Sequence, residues 1–457
     1  MKKLLSLAIF AFVSQMLNAQ DLKKVQTSYM LNRFEEAKTE LDKVLADPKQ
    51  QGKTEPIYWK SKVYASLFKD AKLREKYPNA LKDADEAFKK YTIADPAYAM
   101  VKEKGAEGFF DLYGTAYSIG VKVFNDKKWE EAIANFSVAV EYSDIIFKNK
   151  WSSSNIPFDT TSILFLGYSY QNATKGAEAV KQYTRLADSK VGGESNLDMY
   201  KFTANHFTIT KNEADFIKYI AIGKELYPKE DKLWEEFEID YMDKNLTLKQ
   251  KTDLYDKEDA AGTLSEVKYL QFGDIFVTAD HKEKNIDSLQ KIKYSLKAIE
   301  AFQKAFAKNN QNGIAAFNVG VIYYNIYGEY DDRYAANIRT MQGLNADRPV
   351  EKDPKKKAAA DAKLKESIDP IKKTNAEIEK PLMDNLDLSL QWLEKSYQIL
   401  KAKPNRDKTE KSVINKSVDF VANLYAYKRD RTRGKDAKAF DAFDAKYKEF
   451  DGLHGKF

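Results

Sequence analysis

The sequence contains no cysteine and only three histidines among its 457 residues. The absence of cysteine excludes disulfides, thiol nucleophiles and cysteine-bound metals, and it leaves no residue for lipid attachment at a signal-peptide cleavage point. The chain also lacks a Gly-x-Ser-x-Gly motif, a phosphate-binding loop, a dinucleotide fingerprint and a His-Glu-x-x-His motif. We therefore predict that the protein is not an enzyme and that it holds neither a cofactor nor a metal.

Proline and glycine, the residues that most often interrupt helices, are scarce, with 11 and 19 copies. Hydrophobic residues make up 43% of the chain and charged residues 32%, a balance that favours amphipathic helices. The 75 basic residues are mixed evenly with 69 acidic ones, so we expect no nucleic-acid-binding surface. Beyond the N-terminus, no apolar run approaches the ~20 residues that a membrane-spanning helix needs.

The N-terminal segment has the pattern of a secretory signal peptide. Lys3 precedes an apolar run from Leu4 to Val13, and Ala19 lies at the expected cleavage point before Gln20. The alternative, an uncleaved membrane anchor, is disfavoured because the apolar run is short. We expect the mature chain to be periplasmic, without a transmembrane segment, and not a lipoprotein.

Small and large residues recur along the chain with a regular spacing. In the clearest copy, counted from Tyr113, Gly120, Ala132, Phe136 and Ala139 fall at positions 8, 20, 24 and 27. Copies that start at residues 197, 231 and 266 lie 34 and 35 residues apart. A period of about 34 residues is typical of paired helices that stack as repeats.

This pattern resembles the tetratricopeptide repeat (TPR), in which small residues permit a close helix crossing and a large ring packs beside them. The resemblance covers nearly the whole mature chain and is strongest from about 105 to 327. It implies an all-α, TPR-like α-solenoid, a right-handed superhelix of helical hairpins with a long helical insertion. The alanine-glutamine end of the signal and the long charged stretch resemble uncharacterised exported TPR proteins of Bacteroidetes.

We divide the chain into five segments on these grounds. They are the signal peptide 1–19, divergent N-terminal hairpins 20–104, central repeats 105–327, a charged helical insertion 328–384, and a C-terminal hairpin with a capping helix 385–457. A smaller insertion, from His281 to Lys293, interrupts one central hairpin.

The long insertion contains prolines at 349, 354, 370 and 381, which predict that it is broken into pieces. Two interpretations of its charge remain open. A helical extension of both hairpin arms is favoured over a polyanion site, because acidic residues are interleaved with its lysines.

The resemblance implies a concave groove lined by the first helix of each hairpin, at its second, fifth, ninth, twelfth and thirteenth positions. Aromatic rings beside amides suit an extended peptide, because the amides pair with its backbone and the rings take its side chains. The candidate partner-binding residues are Tyr117, Phe124, Asn125, Tyr168, Gln171, Asn172, Lys201, Asn205, Phe317, Tyr324 and Asn325.

Two more specific sites are considered and not favoured. Lys201 and Asn205 fall where clamp-type members of the family hold the terminal carboxylate of a peptide, but Ile239 replaces the second asparagine of a complete clamp. The acidic stretch from Asp256 to Glu266 lacks the ligands of a calcium loop, so we expect a turn between helices there. His206 is predicted to be a packed or half-exposed ring.

The resulting functional hypothesis is an exported scaffold or adaptor that binds protein or peptide partners in the cell envelope, through its concave groove or its insertion. The alternative is a glycan-binding component of an outer-membrane nutrient-uptake system, since starch-utilisation-type binders of Bacteroidetes also build on TPR helices. The missing lipid anchor and the presence of only five tryptophans disfavour it. An envelope hydrolase is a third hypothesis without a supporting motif, and the oligomeric state stays open.

Overall fold

A computed structural model describes residues 22–154, 156–279, 288–350 and 352–457. Within these ranges the regular structure is helical throughout, with no β-strand. The expected signal peptide, its cleavage point at Ala19, and His281 lie outside the described residues. No helix in the described ranges combines the length and the apolar character needed to cross a membrane.

The chain divides into two compact units, with the boundary between Glu238 and Ile239. Helices of the first unit are α1 (22–30), α2 (Phe34–Leu45), α3 (Pro48–Gln51), α4 (Thr54–Lys69), α5 (Ala71–Lys76), α6 (Ala80–Ala94), α7 (Ala99–Lys104), α8 (Glu107–Asn125), α9 (Trp129–Lys148), α10 (Thr160–Asn172), α11 (Gly176–Asp188), α12 (Leu197–Thr210), α13 (Glu213–Leu226) and the first part of α14 (Asp231–Asn245).

The second unit begins within α14. Its further described helices are α15 (Leu248–Ala260), α16 (Glu266–Val277), α17 (Ser288–Lys308), α18 (Gly313–Ala346), α19 (Pro354–Ala402), α20 (Lys408–Thr432) and α21 (Ala437–Asp451).

Most of the longer helices pair as hairpins, and neighbouring hairpins pack against each other within each unit. In the first unit the pairs α4–α6, α8–α9, α10–α11 and α12–α13 are in contact, and α9 packs on α10 and α11 on α12. In the second unit the pairs are α16–α17, α18–α19 and α20–α21. Contacts that join mainly a hairpin's own helices and the next hairpin in sequence are typical of a repeat array. The predicted all-α, TPR-like α-solenoid is therefore confirmed, while the hand of a superhelix stays a prediction.

At several helix crossings, a glycine of one helix packs against a large aromatic ring of the other. A Cβ atom at Gly120 would lie 2.9 Å from the ring of Phe136, so only glycine allows α8 and α9 to approach this closely. The contact between position 8 and position 24 of the clearest repeat is thus confirmed. Comparable contacts join Gly167 to Tyr183, Gly223 to Trp234, and Gly273 to Phe302.

Four hairpin turns of the first unit use one residue in the left-handed backbone conformation. These residues, with φ between 57° and 60°, are Asn32, Lys127, Thr174 and Lys211. At the end of α8 the N–H of Lys127 donates to the carbonyl of Phe124, and the N–H of Lys128 donates to that of Val123, both at 2.9 Å. This paired closure is a Schellman motif, which satisfies carbonyls that the helix end would leave unbonded.

The long insertion proves to be an extension of both arms of one hairpin, as favoured. Helix α18 runs for 34 residues and α19 for 49 residues. The expectation that prolines break this segment is confirmed at one place, because Pro349 lies in the connection between α18 and α19 and Pro354 occupies the first position of α19. It is wrong for Pro370 and Pro381, which lie inside α19. A proline inside a helix donates no backbone hydrogen bond. The buried side chains of Ile378 and Leu382 stabilise the helix where these bonds are missing.

Two smaller expectations concern the segments between α15 and α17. The smaller insertion ends earlier in the sequence than expected, because α17 already begins at Ser288 and includes Lys293. The expected turn between Asp256 and Glu266 is confirmed: α15 ends at Ala260, and α16 begins at Glu266.

Candidate functional site

The rings predicted for the groove on α8 are packed against other helices. The Tyr117 ring lies 6.0 Å from that of Phe136 and 6.4 Å from that of Phe165, between ring centroids. The Phe124 ring lies 5.2 Å from that of Phe165. Both side chains are half-buried in the seam between α8, α9 and α10, whereas Asn125 is exposed at the end of α8.

The candidate residues on α10 bond mainly to their own hairpin. The Tyr168 ring lies 5.9 Å from that of Tyr183, and its hydroxyl donates to the carbonyl of Ser195 at 3.3 Å. The side-chain oxygen of Gln171 accepts a hydrogen bond from the Tyr183 hydroxyl at 2.7 Å. The amide of Asn172 donates to the carbonyl of Tyr168 at 2.8 Å, and its side chain is exposed.

On α12, Lys201 forms an ion pair with Asp198 at 3.1 Å, and Asn205 is exposed. The imidazole of His206 is half-buried and lies 5.5 Å from the ring of Phe207. Burial lowers the pKa of His206 below its usual value, so the ring is neutral at neutral pH. The expected packed or half-exposed ring is confirmed at this position.

The remaining candidates lie in the second unit, on α18. The Phe317 ring stacks at 6.3 Å on that of Phe420, and the Tyr324 ring lies 4.5 Å from the same ring. These contacts join α18 to α20, while Asn325 is exposed. A role in partner binding stays a prediction for all the candidate residues on α8, α10, α12 and α18.

A groove of about 580 Å³ opens beside α8 in the first unit. We call it the α8 groove, and its walls come from the end of α4, from α5 and from one face of α8. The residues that line it are Lys69, Arg74, Phe110, Asp111, Gly114, Thr115, Ser118, Ile119 and Lys122. Its α8 residues recur every three or four positions, which places them on one side of the helix.

One wall of the α8 groove is held by Arg74 on α5. The carboxylate of Asp70 caps this short helix by accepting from the N–H groups of Lys72 and Leu73. The guanidinium of Arg74 donates to the carbonyl of Phe68 at 2.8 Å and lies 5.6 Å from the centre of that ring. The cation thus sits at the C-terminal end of α4, where unbonded carbonyls favour positive charge.

An ion pair joins the same wall to α8. The ammonium of Lys69 lies 2.7 Å from a carboxylate oxygen of Asp111, whose side chain is only 11% exposed. The other oxygen of Asp111 accepts from the hydroxyl of Ser66 at 3.2 Å, and that hydroxyl also lies 3.2 Å from the hydroxyl of Tyr29. Burial raises the pKa of Tyr29 to about 12, so Tyr29 stays neutral and adds no charge beside Asp111.

The floor of the groove consists of small side chains between Phe110 at one end and Lys122 at the other. The hydroxyl of Ser118 donates to the carbonyl of Gly114 at 2.8 Å, within the helix. A Cβ atom at Gly114 would meet nothing within 4 Å, in contrast to Gly120 of the same helix. Packing within the described part of the chain therefore does not explain why position 114 lacks a side chain.

The repeat pattern predicts the open face of α8 at Tyr117 and Phe124, whereas the groove lies on the neighbouring face. Packing of Phe165 from α10 covers the first face and leaves the second one free. One sequence signal could have identified the groove. Phe110, Gly114, Ser118 and Lys122 are spaced by four residues, so they form one ridge with small residues at its centre.

Metal binding finds no support in the residues described above. Among the side chains that the structure describes, no group of three or more histidines, aspartates or glutamates is arranged to hold a metal ion. The α8 groove contains one carboxylate, Asp111, and that group is already paired with Lys69.

Comparisons with known proteins add little to this geometry. No protein-family profile matches the chain, and no curated protein matches it. Among solved structures, a crystal structure of the APC/C hetero-tetramer Cut9-Hcn1 aligns with 99% of this chain and 97% of that chain, at 11% identity and a TM-score of 0.17. A TM-score of this size carries no argument, so the fold rests on the packing of the helices themselves.

Proposed function

We propose that this protein is an exported scaffold or adaptor that binds protein partners in the periplasm. A TPR-like array of hairpins is typical of protein-interaction scaffolds, and fold alone names no partner. The observation that carries the proposal is the α8 groove, where polar and apolar side chains converge around a floor that no other described residue of the first unit fills. Export rests on the signal-like pattern that ends at Ala19.

A site-specific cross-linking experiment tests the binding role. A photoreactive phenylalanine derivative replaces Ser118 on the groove floor, and the matched control carries it at Ala134, which is exposed on α9 of the same hairpin. We expect irradiation of living cells to join one or a few defined proteins to the Ser118 position and none of them to the Ala134 position. Equal cross-linking from both positions would contradict the proposal.

Fractionation of the same cells tests export. The protein should be released by osmotic shock, and N-terminal sequencing should begin at Gln20. Retention in the cytoplasm with Met1 in place would overturn the periplasmic assignment.

The glycan-binding alternative has a separate readout. A melting temperature raised by oligosaccharides, together with no cross-linked protein at Ser118, would favour a glycan-binding component of a nutrient-uptake system over the adaptor.

A further inference from the structure

We infer that the α8 groove binds an acidic segment of its partner, in which an apolar side chain lies next to a carboxylate. This inference rests on the proposed scaffold function and adds the chemistry that the groove recognises. It draws on three independent features of the groove: its charge, its exposed ring, and the open space at Gly114.

The charge of the groove is complementary to a carboxylate. Three cations, Lys69, Arg74 and Lys122, line it against the single carboxylate of Asp111. The Lys69 ammonium is paired with Asp111 at 2.7 Å, so the excess positive charge comes from Arg74 and Lys122. Arg74 bonds to a backbone carbonyl, which holds its remaining N–H donors in place without neutralising the guanidinium.

Lys122 supplies the second cation from the other end of the groove. Its side chain is exposed on α8, and no carboxylate in the described ranges forms an ion pair with it. A partner carboxylate would pair with an ammonium that has no counter-charge among the described residues. Such rim contacts contribute to orientation and to the rate of association more than to affinity.

The apolar part of the site is Phe110. Its ring is 37% exposed, whereas the other large rings described in the first unit are buried or half-buried. Ile119 completes this apolar lining beside the hydroxyl of Thr115. An aromatic ring that is partly exposed next to cations suits a segment that presents an apolar side chain and a carboxylate together.

The open space at Gly114 would allow the backbone of a partner to approach α8 closely. Glycine in a helix interior costs about 0.5–1 kcal/mol relative to alanine. At Gly120 a close contact with Phe136 accounts for that cost, but at Gly114 the structure shows only open space over the groove floor. A guest segment lying on α8 would use this space, which any side chain at position 114 would occupy.

Selection from a randomised dodecapeptide phage library tests the inference. The bait is the full-length protein, and the two test variants are Gly114→Leu, which fills the floor, and Lys122→Glu, which reverses the charge. The matched controls are Gly343→Leu, at a helical glycine of the second unit that also faces open space, and Lys181→Glu, at an exposed lysine on α11.

We expect the wild-type protein to enrich peptides in which aspartate or glutamate adjoins leucine or phenylalanine. In fluorescence anisotropy, both test variants should bind a selected peptide roughly tenfold more weakly, since Gly114→Leu occupies the space for the guest and Lys122→Glu repels its carboxylate. The two controls should bind as the wild type does. Wild-type affinity should also fall as sodium chloride is raised, because exposed charges are screened.

Several results would overturn the inference. These are enrichment of peptides without acidic residues, unchanged affinity in both test variants, or no enrichment with a melting temperature raised by inorganic phosphate, which would assign the groove to a small anion. The inference and the proposed function can fail separately. Cross-linking at Ser118 with non-acidic selected peptides would remove only the inference, whereas acidic peptides without any cross-linked cellular protein would remove only the scaffold role.

Discussion

The hairpin α8–α9 consists of helices of 19 and 20 residues joined by a short turn. The hairpin α18–α19 has helices of 34 and 49 residues. In both, a glycine of the first helix receives a large side chain of the second, Phe136 on Gly120 in the short hairpin and Leu393 on Gly320 in the long one. The two hairpins therefore share a way of closing the helix crossing, although their lengths differ.

Beyond that crossing the two hairpins diverge. In the long one, the hydroxyls of Ser389 and Ser396 donate to the carbonyls of Gly320 and Gly313, at 2.9 and 2.8 Å. Buried residues continue along the seam to Asn375, so the extension of α19 is used for packing against its neighbours. In the short one, a face of α8 with a second glycine stays open. Gly120 and Gly320 thus allow the close packing of their hairpins, whereas Gly114 has no packing partner among the described residues.

The largest expected effect comes from removing the side chains that fill the two crossings. Phe136→Ala and Leu393→Ala each leave a cavity at a fully buried position, and we expect each to lower the free energy of unfolding by about 3–5 kcal/mol. Hydrogen exchange, read separately for each unit, should show loss of protection in the unit that carries the change. Equal loss in both units would contradict the division at Glu238.

A smaller effect separates the two glycines of α8. Gly120→Ala places a Cβ atom 2.9 Å from the ring of Phe136, and we expect a loss of about 1–3 kcal/mol in urea unfolding. Gly114→Ala meets nothing within 4 Å, and the better helix propensity of alanine should raise stability by about 0.5–1 kcal/mol. Losses of similar size in both variants would mean that the groove floor is not open.

The third prediction concerns a polar contact found in the long hairpin. The amide of Asn337 donates to the side-chain oxygen of Asn375 at 2.7 Å, while the amide nitrogen of buried Asn375 makes no hydrogen bond. Asn337→Leu removes the donor that the structure shows for the Asn375 oxygen and should cost about 1–3 kcal/mol. Replacing both asparagines by leucine should be nearly neutral in the same urea titration, because no buried polar group is then left unbonded. An equally destabilised double variant would show that the pair itself is required.

The smallest expected effect lies in the turns. Thr174 is a β-branched residue in the left-handed conformation, with φ of 60°. Thr174→Gly should relieve this strain and stabilise the protein by about 1 kcal/mol, seen as a higher melting temperature. Thr184→Gly, inside α11, is the matched control and should lower the melting temperature instead. The connection between α18 and α19 starts from Asp347, with φ of −78°, so it offers no corresponding gain.

Much of the fold could be predicted because it depends on contacts between residues at a constant spacing. The distance in sequence between Gly120 and Phe136 follows from two helices crossing once per repeat, and the structure places them in contact. The proline prediction failed at Pro370 and Pro381 for the opposite reason. A helix tolerates Pro370 and Pro381 where neighbours supply enough buried contact, and the identity of those neighbours is not a local property.

The open face of α8 shows the same limit at the candidate site. Tyr117 and Gly114 both occupy positions that point away from the hairpin partner in an ideal repeat. Which of them stays accessible depended on the exact placement of Phe165 on the next hairpin, which covers Tyr117. The repeat pattern predicts which face of a helix a residue occupies. It does not predict which side chains of other hairpins pack on that face.

By itself, the order of small and large residues determined that this chain forms helical hairpins and which residues meet at each crossing, because those contacts span a fixed number of helical turns. Only the tertiary structure decided that α19 continues through its prolines and that the exposed side of α8 carries Gly114 and Lys122. Both outcomes depend on how the apolar surfaces of neighbouring hairpins pack together. That packing is the sum of many weak contacts, and it cannot be read from the sequence of a single repeat.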